Sequence, residues 1–182
     1  MTNFEIKVKV HDMDSIINAI KKSGATYQCD MHHIDYYFNI GTFKEKIRDI
    51  NGNEYQEISY SRTETFGRKE SKYNIKKIKQ EEKNALLKQK EILCVVNKAR
   101  TLWTYKNTRI HLDNVMGLGR FLELETIIKD ISAPKGLKEF KEVLELLKIN
   151  QEDTVACSYS DLILKNQKSY SSPVLINKFA GI

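Results

Sequence analysis

Proline occurs only twice in 182 residues, tryptophan once, cysteine three times and glycine eight times. So little Pro and Gly excludes a collagen-like or low-complexity chain. Cys29, Cys94 and Cys157 are odd in number and far apart, and no pair has zinc-ligand spacing. Neither a disulfide framework nor a zinc module is expected, only three reduced, partly buried thiols. No apolar run approaches the ~20 residues of a membrane span, and the first residues carry no charged-then-apolar leader pattern. The expectation is a cytoplasmic protein without membrane contact. What remains is ordinary globular material, 41% hydrophobic and 30% charged. Its length suits one domain, expected over 1–165 with a tail over 166–182. Thirty Lys and Arg against 24 Asp and Glu leave a net charge of +6. That balance favours anionic partners without choosing among nucleic acids, nucleotides, polyphosphates and acidic membranes.

Hydrophobic period places the elements. Phe4, Ile6, Val8 and Val10 alternate with Asn3, Glu5, Lys7 and Lys9, which is strand periodicity. Ile16, Ile17 and Ile20 form a helical stripe over Asp14–Ser23, with Asp12 or Asp14 as cap and Gly24 at its end. Strands follow near Ile34–Asn39, Phe43–Asp49 and, after an Asn51-Gly52 hairpin signal, Glu57–Arg62. The polar stretch Thr63–Lys72 has no period and reads as a mobile loop. Gln80–Glu91 is helical by composition. Leu93–Tyr105, Thr108–Val115 and Arg120–Ile128 alternate as strands. Pro134 opens a helix carrying Leu137, Phe140, Val143, Leu144 and Leu147. A shorter helix fits Gln151–Lys165, and the chain from Asn166 onward has little pattern.

The second face of these strands carries the information. Lys44, Lys46 and Arg48 share one face, and Lys98 and Arg100 share a face with Val96 and Leu102. Arg109, His111 and Asp113 share another, and Glu123 and Glu125 stand beside Phe121 and Ile127. An antiparallel sheet normally turns such a face to water. These helices, however, need an apolar surface, and covering the apolar side would turn the charged rows inward, into a wet barrel or tunnel. Such an interior is costly unless its charges are paired, hydrated or bound. Excess cations call for a polyanion, and carboxylates beside it call for a hard divalent ion such as Mg²⁺ or Mn²⁺. A metal-bound di- or triphosphate satisfies both.

The residues themselves resemble a known family. Asn3-Phe4-Glu5-Ile6-Lys7 is similar to the ExExK signature of the CYTH, or triphosphate tunnel metalloenzyme, superfamily. The likeness continues through Asp35-Tyr36-Tyr37-Phe38, Lys46-Ile47-Arg48, Tyr60-Ser61-Arg62 and Val96-Asn97-Lys98-Ala99-Arg100. It closes with Arg109–Asp113, Gly117–Glu125 and Ser158–Leu162. The stretch RIHLDNVMGLGRFLELE looks most like the class IV adenylyl cyclase branch. The resemblance implies an α+β fold, an eight-stranded antiparallel β tunnel with a charged interior flanked by helices, usually in a homodimer. It implies Glu5, Glu123 and Glu125 as metal ligands with Asp113 as a further one, and Mg²⁺ or Mn²⁺ as the ion. Lys7, Lys46, Arg48, Arg62, Lys98 and Arg100 would hold phosphate oxygens. Lys9, Lys44 and Arg109 follow from strand parity, and Lys69 and Lys72 lie in the loop that would close the mouth. Of these, Glu5, Lys7, Glu123, Glu125 and Arg62 form the expected catalytic set. One departure stands out: the first signature Glu is Asn3 here, which removes a negative charge from a metal site. Glu45 stands where relatives carry an aliphatic residue.

The implied reaction is cyclisation of ATP to 3′,5′-cyclic AMP with release of pyrophosphate. Hydrolysis of inorganic or organic triphosphate, for instance thiamine triphosphate, uses almost the same residues, and a non-catalytic polyphosphate or nucleotide binder is the third reading. No RNA-recognition module is present, so nucleic acid ranks low. Taken singly, Glu123, Glu125, Lys98 and Arg100 read as solvated strand charges. His32 and His33 face opposite ways, so they do not share a metal. Trp103 and Tyr105 read as packing aromatics, and His111 as a partner of Asp113.

Overall fold

The computed structural model describes residues 2–40, 43–65 and 68–170. Alternating apolar residues make β1 (Thr2–Lys9). Helix α1 (Met13–Lys22) starts where the Asp12 carboxylate accepts the Ser15 N–H at 3.0 Å, which satisfies one of the orphan donors of a helix start. Four strands follow, β2 (Thr26–Asn39), β3 (Phe43–Ile50), β4 (Glu54–Thr65) and β5 (Arg68–Ile78), and then α2 (Gln80–Gln89). Strands β6 (Cys94–Tyr105), β7 (Thr108–Val115) and β8 (Gly119–Ile128) precede α3 (Ala133–Leu146), a short 3₁₀ turn and α4 (Tyr159–Tyr170). At the β3–β4 hairpin Asn51 and Gly52 both take positive φ, 55° and 73°, as a two-residue turn matched to strand twist requires.

The eight strands close into an antiparallel barrel in the order β1-β5-β4-β3-β2-β6-β7-β8. The expected α+β tunnel is therefore the observed architecture. Val8, Val10, Ile110, Leu112, Leu122 and Leu124 point outward and are sealed by Ile20 of α1, Val143 and Leu144 of α3 and Leu147 at its C-terminal cap. A second outer cluster places Ile47, Tyr55 and Ile78 beneath Leu86 and Leu87 of α2. Much of the apolar core thus lies outside the barrel wall, while the opposite parity of each strand points into the hollow, where Tyr37, Cys94, Val96, Val115 and Phe121 form a further buried cluster with Tyr159 of α4.

Two expectations are corrected. Most of the segment read as a mobile loop, 63–72, is strand: β4 runs to Thr65 and β5 begins at Arg68. The pairing Thr65↔Arg68 makes the connection a hairpin. The sequence failed to announce β5 because its few apolar residues, Tyr73, Ile75 and Ile78, do not keep one parity among the charges, so no clean hydrophobic period marks it. The helix expected over 151–165 is instead a 3₁₀ turn at Gln151–Asp153 and a separate α4 that continues to Tyr170, past the expected end.

Leu122 is fully buried between the wall and its helices. Leu122→Ala is expected to cost about 2–5 kcal/mol, read as a lower urea midpoint at unchanged slope.

Candidate functional site

Strand parity brings the expected residues together. On β1, Asn3, Glu5 and Lys7 lie on the inner face. On β8, Glu123 stands opposite Lys7, and Glu125 stands opposite Glu5. The Lys7 ammonium is 3.2 Å from Glu123. Arg100 of β6 reaches both carboxylates nearby, at 2.6 Å from each Asp113 oxygen and 2.5 Å from Glu123. Lys98 adds a third cationic contact to Asp113 at 3.0 Å. On the opposite wall Asp35 accepts from Lys46 at 2.7 Å and from Arg48 at 2.7 and 2.8 Å. Asp113 is wholly buried, while Asp35, Lys46 and Lys98 are at most 5% exposed. These are interior ion pairs, not solvated surface charges.

Burial raises the carboxyl pKa of Asp35, but Arg48 and Lys46 override it and hold it well below the ordinary carboxylate range. Burial likewise works against ionised Glu123, and Arg100, Lys98 and Lys7 reverse the outcome. Burial, followed by Arg48, pulls the Lys46 ammonium down to about 7 despite Asp35 beside it. Burial and Arg100 take Lys98 down to about 8. Each buried charge is tolerated because a partner is in place.

The remaining expected residues divide. Arg109 is half exposed and 3.4 Å from Glu125. Lys9 is exposed at the end of β1. Lys44 is buried but committed elsewhere, donating to Ser158, Ser160 and Asp161 at 2.7, 3.2 and 2.9 Å. Arg62 has the inner parity of β4, two residues beyond Tyr60, and Lys69 pairs with Asn3 across β5 and β1. The side chains of Arg62, Lys69 and Lys72 lie outside the described set. Glu45 forms a salt bridge with Lys90. His111 leans toward Glu125, at 3.9 Å, and not toward Asp113 as expected. Trp103 packs outside the wall in the cluster with α1 and α3, and the Tyr105 hydroxyl donates to Glu142 at 2.6 Å. A cleft of about 480 Å³ lies between Met13 and Ile17 of α1 and strands β2, β6 and β7, and its lining includes Arg100 and Asp113 of the charged cluster.

Three participants had no role assigned from the sequence, although Asp35 and Tyr159 lie in stretches that resemble the family. Asp35 is the anchor of one cation pair. The α4 entrance is capped by Ser158 and Asp161, each side chain accepting the other's backbone N–H, as in a capping box. It inserts Tyr159 into the hollow, where its hydroxyl donates to Asp113 at 2.9 Å and its ring lies 4.2 Å from the Lys7 ammonium. The third is His33, on the inner face of β2 and only 4% exposed.

The donor set fits a hard divalent ion. Glu5 and Glu125 are direct cross-strand neighbours, an arrangement of like charges that is unfavourable unless a cation lies between them. Asn3 donates to Glu125 at 2.5 Å and leaves its own Oδ1 buried without a partner. Two carboxylates and a neutral amide oxygen are the oxygen donors such ions prefer. Among the described residues, no three His, Cys, Asp or Glu side chains enclose an ion by themselves.

Asp35→Asn leaves Lys46 and Arg48 as uncompensated buried cations. It is expected to destabilise the protein by about 3–5 kcal/mol, measured by urea denaturation, with recovery on adding tripolyphosphate. Because Asp35, Asp113 and Glu123 are all depressed, their contribution is present above the ordinary carboxylate range of ~4 and disappears as pH falls below it. Acid denaturation followed by circular dichroism checks that sign.

Known proteins share this fold. The CYTH domain family matches residues 1–159. A Methanocaldococcus jannaschii protein, provisionally named an adenylate cyclase, is 30% identical over 173 residues, 89% of this chain and 98% of that protein. A solved Pyrococcus horikoshii structure superposes with a TM-score of 0.77 at 22% identity, over 88% of this chain and 98% of that one. A Vibrio parahaemolyticus structure, also provisionally named an adenylate cyclase, gives 0.71 at 17% identity, over 90% and 98%. At these identities the structural likenesses speak for the fold. The family match spans the whole barrel, and the chain belongs to the CYTH family, within a superfamily of enzymes that act on triphosphates with divalent metals.

Proposed function

We propose that this protein is a metal-dependent adenylyl cyclase that converts ATP to 3′,5′-cyclic AMP and pyrophosphate. The observation that carries the reading is the gathering inside one barrel of Lys7, Lys46, Arg48, Lys98 and Arg100, each paired with a carboxylate. The provisional cyclase name of the relative at 30% identity supports the choice of reaction within the family.

The 3′-oxygen of ATP attacks the α-phosphorus and the bond to the bridging oxygen of pyrophosphate breaks, so negative charge grows on the leaving group. Lys46, Arg48, Lys98 and Arg100 hold the triphosphate in line and neutralise that charge. Arg48 and Arg100 each present two donors to paired oxygens, as they already do to Asp35 and Asp113, whereas the lysines act as point charges. Lys7 and Arg62 complete the cradle. Glu5, Glu123 and Glu125, with Asn3 and Asp113, would hold Mg²⁺ or Mn²⁺. When bound, that ion supplies Lewis acidity toward the 3′-hydroxyl and the phosphate oxygens. Since the carboxylates now engage Lys7, Arg100 and Arg109, a cation on the carboxylates frees those side chains for phosphate. Metal and triphosphate therefore bind better together than apart.

Hydrolysis at the γ-phosphorus is the second reading. It is favoured by the fact that the paired groups of the hollow address phosphate and metal, and not a base or ribose. We further propose a homodimer and a single catalytic unit over 1–165. Incubation with ATP and Mn²⁺ followed by product chromatography decides the reaction: cyclic AMP supports cyclisation, and orthophosphate in its place overturns it. Glu123→Ala or Glu125→Ala is expected to lower turnover by at least about 10²-fold with the circular dichroism spectrum retained. Lys46 is charged below about 7 in the free protein and loses its charge as pH rises through that value. Tripolyphosphate affinity, titrated by calorimetry, is expected to fall between pH 6.5 and 8.5, by up to about tenfold per pH unit.

A further inference from the structure

His33 stands on the tunnel face of β2, directly across from Lys98 of β6. Alternation fixes the side: Asp35 and Tyr37 follow it on the same face, while His32 turns outward and meets Asn97 at 2.7 Å. His33 is 4% exposed, and neither of its ring nitrogens has a hydrogen-bond partner. Asp35 is saturated by Lys46 and Arg48, and Asp113 by Lys98, Arg100 and Tyr159. The imidazole beside them is left unsatisfied, which costs more than an apolar residue of similar size would. The charged groups around it are Asp35 on its own strand, Arg48 from β3, and Lys98 and Arg100 from β6. The surroundings are rich in cations, and what they lack is an anion.

We propose that His33 is a phosphate-contacting residue of the tunnel, donating a hydrogen bond to an oxyanion lodged among Arg48, Lys98 and Arg100 and taking up a solvent proton as it does so. The assignment rests on the triphosphate reading above and adds to it a ligand-linked protonation. Burial, then Arg48 and Lys98, hold the free ring down to about 3, so it is neutral in the empty tunnel. A neutral imidazole offers one N–H donor and one bare lone pair. A polyanion placed among the same cations reverses the sign of the local field and favours imidazolium, which donates from both nitrogens. Binding and protonation then reinforce each other by linkage.

The test uses inorganic tripolyphosphate at pH 6.5 with wild type and His33→Gln, titrated by calorimetry in buffers of different ionisation enthalpy. Lys46 contributes proton uptake in both proteins, so the difference between them isolates His33. Wild type is expected to take up more protons, by up to about one per site, and to bind about tenfold more tightly. The NMR titration of the His33 ring, one of four histidines, is expected to move to higher pH when tripolyphosphate is added. Should the variant not fold, that titration on wild type decides alone. Equal affinity and equal proton uptake, with the ring titration unmoved, overturn the assignment and leave the tunnel reading intact. Failure of tripolyphosphate to bind either protein overturns both.

Discussion

This barrel divides its apolar residues between two sides. Ion pairs occupy the hollow beside an apolar cluster of Val96, Val115, Phe121 and Tyr159, and the apolar parity of β1, β7 and β8 is sealed from outside by α1 and α3. The pairing of the interior charges makes this arrangement possible. Desolvating Asp35, Asp113, Lys46 and Lys98 would be prohibitive singly, and each is compensated by a neighbour within hydrogen-bonding distance. The fold therefore depends on charge complementarity across strands as much as on the greasy contacts beneath its helices.

The same pairing shapes what the site can bind. Every strong cation near Glu123 already holds a carboxylate, so a ligand must substitute for those partners. On the proposed reading, triphosphate oxygens would replace carboxylate oxygens at Arg100 and Arg48, and a divalent ion would replace ammonium and guanidinium at the glutamates. A ligand carrying both signs would leave no charge stranded.

Helix α4 closes the account at one end of the hollow. Its capped start directs Tyr159 onto Phe121, 5.0 Å between ring centres, and its serines and Asp161 occupy Lys44. The third free thiol on the described chain, Cys157, lies just before it, and its carbonyl accepts from Lys7 at 3.3 Å. The segment 154–161 is thus an integral part of the tunnel lining, although it follows the last strand by many residues.

Much was legible before any coordinates. The alternation of Phe4–Val10 and of Arg120–Ile128 assigned both an inner and an outer face, because period two is a local property of extended backbone. Lys46 with Arg48, Lys98 with Arg100, and Glu123 with Glu125 declared themselves as charges recurring on one parity. β5 did not, since its Tyr73, Ile75 and Ile78 do not keep one parity and leave no clean period to detect. The roles of Asp35, Tyr159 and His33 also stayed unassigned, although the first two lie in family-like stretches, and for a different reason. Which acid neutralises Lys46, which aromatic enters the hollow and which imidazole is left without a partner are settled by register between strands far apart in the chain. The sequence by itself determined the faces and their charge. The closure of eight strands decided which of those charges meet, because pairing across a barrel is a long-range geometric fact that no local pattern encodes.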